Sequence, residues 1–316
     1  MNKKITGLHH VTALASDPLK NVDFYAGILG LRMVKKTVNF DAPDIYHLYY
    51  GDEQGTPGSI ITFFPFPGIS KGRKGYGQTT VTSFSIPENA LDYWMARLTK
   101  FGVSFLPPKE RFQREMYIYL EDPDGLGIEL VTDAKETGRG FSYGHIPPEF
   151  AVRRFYGITL TQKNSDPTVD LLVKYLNYNV MLVENNHIRL STGDGNFVDI
   201  LVKPDSPAGL GGSGTVHHVA FATDNDESQK NIREQLRKGG LHVSPVMDRQ
   251  YFHSIYFREP GGVLFEVATS DIGFTLDEPL ESLGQQLKLP PWEEKNRQDI
   301  EELLIPVQVP SGEYQD

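Results

Sequence analysis

Apolar positions along this chain change period in an order that repeats. GLHHVTALAS (7–16) reads as a strand, and NVDFYAGILGLRM (21–33) carries apolar residues near helical spacing. IYHLYYGD (45–52) returns to a short aromatic strand, and the turn GTPGS (55–59) leads to a closing strand. The order recurs three times. TTVTSFSIP (79–87) precedes the helix-like ALDYWMARLTKFGV (90–103) and EMYIYLEDPDGLGIELVTD (115–133). RRFYGITLTQ (153–162) precedes VDLLVKYLNY (169–178) and HIRLSTGDGNFVDILV (187–202). TVHHVAFAT (215–223) precedes SQKNIREQLRKGGLHV (228–243), SIYFREP (254–260) and VLFEVAT (263–269). In SQKNIREQLRKGG, Ile232, Leu236 and the Gly-Gly stop fit a short helix.

Each unit thus reads β-α-β-β-β. The turns before the closing strands are GTPGS, DPDGL, GDGNF and EPGGV, and their glycines suit a hairpin because Gly tolerates φ > 0. The expected fold class is α+β: four βαβββ modules in two tandem domains, forming curved mixed sheets around a metal cavity. Domain one covers about 1–150 and domain two about 151–270, each pair of units building one sheet. The Pro pair in SYGHIPPEFA (142–151) suits a linker. The extension 271–316 leaves the repeat. Its LPPW and amphipathic EEKNRQDIEELL predict a loop and a short helix packed on the body, over a cavity mouth or in a dimer.

Composition narrows the function. The chain of 316 residues has 39% hydrophobic and 23% charged residues, which is ordinary for a globular protein. It has no cysteine, which excludes disulfides, thiolate metal sites and cysteine nucleophiles. A net charge of -10 argues against a nucleic-acid partner and favours a small-molecule ligand. No apolar run reaches a membrane span, and MNKKITGLHH lacks the apolar stretch of a signal peptide, so a cytoplasmic location is expected. A homo-oligomer remains open.

The two histidine doublets carry the chemistry. His10 and His218 stand at the same place on the first strands of units one and four, where units two and three have Val81 and Gly157. The fourth residue after the turn glycine is Thr62, Glu129, Asp199 and Glu266 in the four units. Only units one and four supply histidine, and of these only unit four adds an acid. His10, His218 and Glu266 are therefore the expected metal ligands, and the first and last units must meet in space. Two imidazoles and a carboxylate leave coordination positions open, as in non-heme Fe(II) oxygen enzymes; Mn(II) or Zn(II) could use the same atoms. Successive strand residues face opposite ways, so His9 and His217 cannot be regular ligands. They could act as acid/base groups or substrate hydrogen-bond donors, or be structural histidines.

The repeated units resemble the vicinal oxygen chelate superfamily. LHHVT, IYHLYYGDEQGTPGSIITFFPFPG, TVHHVAF and DRQYFHSIYFREPGGVLFEVAT, in that order, resemble the hydroquinone-type ring-cleaving dioxygenases. The resemblance spans almost the whole chain, through LPPWEEKNRQDIEELL. It implies Fe(II) on His10, His218 and Glu266, with His9, Thr12, His217, Arg249 and Tyr256 around it, and no position of this set departs from the pattern. It implies a small aromatic substrate and O2 as partners, with both oxygen atoms inserted into the ring. His9, His217 and Tyr256 are types suited to moving protons, and Arg249 to orienting an anion. The plainer readings are a sheet aromatic for Tyr256 and a surface ion pair with Asp248 for Arg249.

Two rivals stand beside this. A glyoxalase-like isomerase or lyase would want a fourth ligand where Thr62 stands. A non-catalytic binder of aromatic compounds would need no ligand triad. GLGGSG (209–214) matches G-x-G-x-x-G but precedes a strand instead of following one, so it reads as a flexible loop. The basic KGRKG (71–75) reads as a solvated loop, and His47, His187, His242 and His253 as structural residues, with His253 kept open by its nearness to Tyr256.

Overall fold

A computed structural model describes residues 5–112, 115–135, 138, 140–141, 146–193 and 196–315. Residues 1–4, the turn residues Asp194 and Gly195, and residues 142–145 of the expected linker lie outside the described residues.

Four βαβββ modules follow one another. The first contains β1 (Gly7–Ala15), α1 (Pro18–Val22), β2 (Arg32–Asn39), β3 (Ala42–Gly51) and β4 (Ile60–Pro65). The second contains β5 (Gln78–Ile86), α2 (Leu91–Lys100), β6 (Lys109–Arg111), β7 (Glu115–Glu121) and β8 (Gly127–Thr132). The third contains β9 (Phe155–Gln162), α3 (Asp166–Tyr175), β10 (Asn179–Glu184), β11 (His187–Ser191) and β12 (Phe197–Val202). The fourth contains β13 (Thr215–Thr223), α4 (Asp226–Lys238), β14 (Met247–Asp248), β15 (His253–Arg258) and β16 (Leu264–Thr269).

Local chemistry fixes the helix limits. Asp17 caps α1 by accepting from the amides of Leu19 and Lys20, with Pro18 in the first turn. The helical reading of residues 21–33 is only partly met: α1 passes into a π-helical turn, Asp23–Ile28, and β2 begins at Arg32. The buried Arg97 of α2 donates to the carbonyls of Gly27 and Ile28 at 3.0 and 2.9 Å, satisfying groups that the irregular turn leaves unpaired. Helix α4 is capped by Asn225, is acidic in its first turn and basic in its last, and buries Gln229, Ile232 and Leu236. Turn glycines 58, 125 and 262 have φ of +90, +93 and +105°, as the hairpin reading requires.

The strands form two curved eight-stranded sheets, ordered β14-β15-β16-β13-β1-β4-β3-β2 and β10-β11-β12-β9-β5-β8-β7-β6. Each sheet joins modules from both halves of the chain: one with four, two with three. This differs from the expectation that each tandem pair builds its own sheet, and the reason is strand pairing. Antiparallel β1–β13 and β5–β9 seams join the first strands of the modules at the centre of each sheet. The meeting of first and last units, expected from the doublets, follows from the first seam. One apolar core runs through all four modules, including Val11, Trp94, Phe155 and Phe221. Truncating a wholly buried aromatic such as Trp94 costs about 3–5 kcal/mol.

GLGGSG is not a free loop. Leu210 and Ser213 bridge to Arg73 and Lys71, so the two Gly-rich segments zip together. Lys74 in the basic loop pairs with Glu121 at 2.5 Å. The extension forms a short helix α5 (Arg297–Leu303) and buries Ile300, Leu304 and Val307 against the body. Among the described residues no helix is long and apolar enough to cross a membrane.

Candidate metal centre

Sheet register brings the three expected ligands together. His10 on β1 pairs with Ala220 on β13, and Ala220 pairs with Glu266 on β16. His10 and Glu266 thus flank Ala220 across three adjacent strands. His218 stands two residues before Ala220, on the same face because strand side chains alternate. The methyl of Ala220 leaves the space into which the three side chains converge.

His10 Nε2 lies 3.3 Å from His218 Nε2 and 3.4 Å from Glu266 Oε2, and His218 Nε2 lies 2.9 Å from that oxygen. All three residues are buried. Ligands held at about 2.1 Å from one cation lie about 3 Å apart when adjacent, so these spacings suit a shared metal. Glu266 Oε1 accepts from Ser254 Oγ, whereas Oε2 is buried without a hydrogen bond. A buried, unpartnered carboxylate oxygen is costly unless a cation meets it. Burial alone would raise the Glu266 carboxyl; the facing His10 and His218 rings override this and hold it well below the usual range. Burial lowers His218 from its ordinary 6.5. Glu266 is therefore ionised and His218 leans towards its neutral form, the states that bind metal.

The doublets now have a physical account. His9 Nδ1 lies 2.9 Å from His10 Nδ1, and His9 Nε2 lies 3.2 Å from the carbonyl oxygen of Thr269. A carbonyl only accepts, so His9 Nε2–H donates to it and His9 Nδ1 carries the lone pair. His10 Nδ1–H then donates to His9, which leaves His10 Nε2 bare towards the site. Burial and His10 push His9 down to about 3, so it stays neutral in this chain of bonds. The second doublet repeats the contact, with His217 Nδ1 at 2.8 Å from His218 Nδ1. A ligating His218 Nε2 requires its proton on Nδ1, which places the His217 proton on Nε2. The strand register of β1 is irregular between Leu8 and His10, and between Thr12 and Ala13. The irregularity opposite His217 lets both histidines of the second doublet line the cavity, whereas His9 stays behind His10.

The triad lies at a cavity of about 810 Å³ that His10, His217, His218, Arg249 and Tyr256 help to line. Tyr256 pairs with Glu266 in the β15–β16 register, and its ring meets His218 edge-on at 5.7 Å. Arg249 Nε donates to Tyr256 Oη at 3.2 Å, and its outer nitrogen reaches Asp41, not Asp248, at 3.3 Å. Desolvation by burial, then Glu266, raises Tyr256 above 10.0, so the phenol keeps its proton. His217 faces the cavity, and enclosure and His218 lower it to about 4. Thr12 lies beneath the wall, with its hydroxyl 2.8 Å from that of Thr62. The eight expected residues are thus gathered in one place: five line the cavity, Glu266 meets His10 and His218, and His9 and Thr12 lie behind the wall.

Two wall residues escaped sequence reasoning. His47 lacks a repeat partner, yet it lines the cavity with both nitrogens engaged: Nε2 with Thr62 Oγ1 and Nδ1 with Tyr49 Oη, each at 2.8 Å. It presents a ring, not a proton. Phe252 packs on His9 and His10 at 5.1 and 5.0 Å between ring centroids. Its place in QYFHS, next to a histidine and beyond the expected Arg249, was the only available signal. His253 turns away to Asp226 at 2.6 Å, His187 packs on Phe112 in the other sheet, and His242 is exposed.

The sequence matches the Glyoxalase/Bleomycin resistance protein/Dioxygenase superfamily over residues 7–130 and 160–267, and the chain belongs to that superfamily. It is 44% identical to the protein of Bacillus subtilis (strain 168) provisionally named ring-cleaving dioxygenase MhqO, over 98% of this chain and 99% of that one. It is 33% identical to chlorohydroquinone/hydroquinone 1,2-dioxygenase of Sphingobium indicum, over 92% of each chain. A crystal structure of a provisionally assigned dioxygenase from Bacillus subtilis superposes with a TM-score of 0.93 at 44% identity, over 98% of this chain and 99% of that one. Full-length similarity to proteins of these names places the chain among oxygenase enzymes.

Proposed function

We propose that this protein opens the ring of hydroquinone or a substituted hydroquinone with O2, in an extradiol-type reaction that uses Fe(II) held by His10, His218 and Glu266. The observation that carries the reading is Glu266 Oε2, a buried carboxylate oxygen without a hydrogen bond that converges with two imidazole nitrogens. Similarity to the hydroquinone dioxygenase supports the substrate class. Thr62 stands where an isomerase of this fold would want a fourth ligand, but its hydroxyl is engaged with Thr12 and His47, which favours three ligands.

Bound there, Fe(II) would supply a common meeting point and an electron path between a phenolic ring and O2. The chain's own groups do the positioning. Phe40, Phe64 and Phe252 offer apolar faces to a ring and exclude water. His217 holds a proton on Nε2 at the cavity surface. Tyr256 accepts from Arg249, which frees its own proton for donation into the cavity. Two donors beside the ligand triad can stabilise negative charge that develops on oxygen.

The test is anaerobic loading with Fe(II), followed by oxygen-electrode recording on addition of hydroquinone. The expected result is one O2 consumed per ring, with loss of the aromatic absorbance. Ligand binding without O2 uptake across hydroquinone, methylhydroquinone and chlorohydroquinone would overturn the assignment and leave a binding protein. Turnover of a substrate by a Zn(II)- or Mn(II)-loaded form without O2 would instead leave an isomerase or lyase.

A further inference from the structure

Of the two places left open for the extension, over the cavity mouth or in a dimer, the first is not what the fold shows. Among the described residues, those lining the cavity end at Leu264. The extension nevertheless grips the wall from behind. Arg249 and Phe252, both lining residues, sit at the ends of a four-residue segment with an unusual backbone. Gln250 has φ of +65°, uncommon for a residue with a Cβ. The amide of Tyr251 donates to the carbonyl of Arg249 at 2.8 Å, a tight three-residue turn, and the amide of Arg249 donates to the carbonyl of Phe252 at 3.0 Å.

Asp277 of the extension is the hub of that turn. Its Oδ2 accepts from Gln250 Nε2 at 3.2 Å and from Tyr251 Oη at 3.0 Å. Its Oδ1 accepts from Lys35 Nζ at 2.6 Å. Lys35 is wholly buried on β2, lies 5.0 Å from the centre of the Tyr251 ring and also pairs with Glu278. The Gln250 amide oxygen is buried without a partner, so that side chain is held through its NH2 group on Asp277. Gly273 donates to the Tyr251 carbonyl at 3.0 Å, and Phe274 packs on both Tyr251 and Tyr49, the latter holding His47. A strained turn persists only where its surroundings over-determine it. Here three donors from two distant segments meet on one carboxylate.

We infer that Asp277 is a positioning residue of the active site: it holds the strained Arg249–Phe252 turn that sets Arg249 and Phe252 on the cavity wall. The inference rests on reading that cavity as catalytic. The extension therefore belongs to the working enzyme although it lies outside the repeat.

The test is a double-mutant cycle in the Fe(II)-loaded full chain. Asp277→Ala lowers kcat/KM for hydroquinone about 10- to 100-fold, the range for loss of a residue that orients a site, with bound Fe(II) per chain unchanged. In that background Arg249→Ala costs less than about threefold more, because Arg249 is already displaced. Asp277→Asn, which keeps an acceptor oxygen, recovers part of the loss. Where Asp277→Ala does not fold, Tyr251→Phe removes one of the three bonds and gives a smaller loss in the same direction. Hydrogen exchange reads the turn directly, and the amides of Arg249 and Tyr251 exchange faster in the variant than in the parent. An undiminished cost of Arg249→Ala in the variant background, or unchanged exchange at those amides, overturns the inference. If the parent consumes no O2 with hydroquinone, the proposed function fails, while the exchange measurement still decides the role of Asp277.

Discussion

The two sheets are built to one plan and put to opposite uses. In both, parallel register sets the closing-strand residue beside the first strand: Thr12 with Thr62, Ser83 with Glu129, Thr159 with Asp199, and Ala220 with Glu266. In the sheet of modules one and four, the residues two positions earlier are His10 and His218, and a cavity opens over them. In the sheet of modules two and three they are Val81 and Gly157, and the acids face arginines. Arg111 forks onto Glu129 at 3.0 and 2.7 Å, and Arg189 onto Asp199 at 2.7 and 2.6 Å. Arg189 also pairs with Glu115 and lies between the rings of Phe112 and Phe197, at 4.4 and 4.3 Å from their centroids. A buried carboxylate needs a cation or hydrogen-bond donors to offset its desolvation. In the proposed reading, one sheet leaves that role at Glu266 to a metal and keeps room for a substrate; the other fills the equivalent space with guanidinium.

The largest contrast should come from removing each cation's anchor. His218→Ala should abolish Fe(II) retention and lower O2 uptake by more than the roughly 100-fold that loss of an outer partner costs, without loss of the fold. Metal analysis and far-UV circular dichroism check both halves, and full Fe(II) retention would remove His218 from the ligand set. In the other sheet, Arg189→Met should leave Asp199 without its paired guanidinium, while Glu115 keeps Arg111, and destabilise by about 3–5 kcal/mol. Denaturant unfolding reads that cost, and Fe(II) per folded chain should not change. A loss of metal in Arg189→Met would break the separation of roles between the sheets.

A smaller effect tests whether the second sheet could ever hold a histidine. A Cβ at Gly157, the counterpart of His218, would lie 2.5 Å from the carbonyl oxygen of Phe197. The strands have closed over that position. Gly157→Ala should cost about 1–3 kcal/mol as an overpacked site, measured by the same unfolding curves. A neutral outcome would mean that the strand can open, and that closure is not why this sheet lacks a site.

Much of this was legible because repeats can be compared position by position. The His10 and His218 doublets and Glu266 share one register, and register follows from period-two alternation and turn length. The sheet partnership was less legible. Nothing in β1 or β13 taken alone says that it pairs across some two hundred residues; the seam is decided by tertiary pairing. His47 was missed because its role comes from Tyr49 and Thr62, on the same strand and the adjacent one, and not from a repeat. Asp277 was missed because side-chain bonds to Lys35, Gln250 and Tyr251 leave no periodic trace. Arg111 and Arg189 explain why Glu129 and Asp199 stand at ligand positions without histidines, and they too fall outside the motif.

Acid should separate the sheets by the smallest and most graded effect. A proton on Nε2 of His218 competes directly with the metal, so affinity falls as pH falls. Burial lowers His218 from 6.5, so fewer than half of its rings are protonated at pH 6.5. Glu266 is held well below its ordinary 4.5 and stays ionised throughout. The competition at His218 should therefore develop mainly below pH 6.5, by up to about tenfold per pH unit once its ring titrates. The arginines of the other sheet do not titrate in this range, so its packing should be unchanged where the metal is lost. Anaerobic dialysis from about pH 7.5 to about 4.5, with metal content and near-UV circular dichroism read on the same samples, follows both sheets at once. Half-loss of metal above pH 6.5 would mean that His218 is more basic than its burial requires. Loss of near-UV signal in step with the metal would mean that the second sheet does not stand independently of the first.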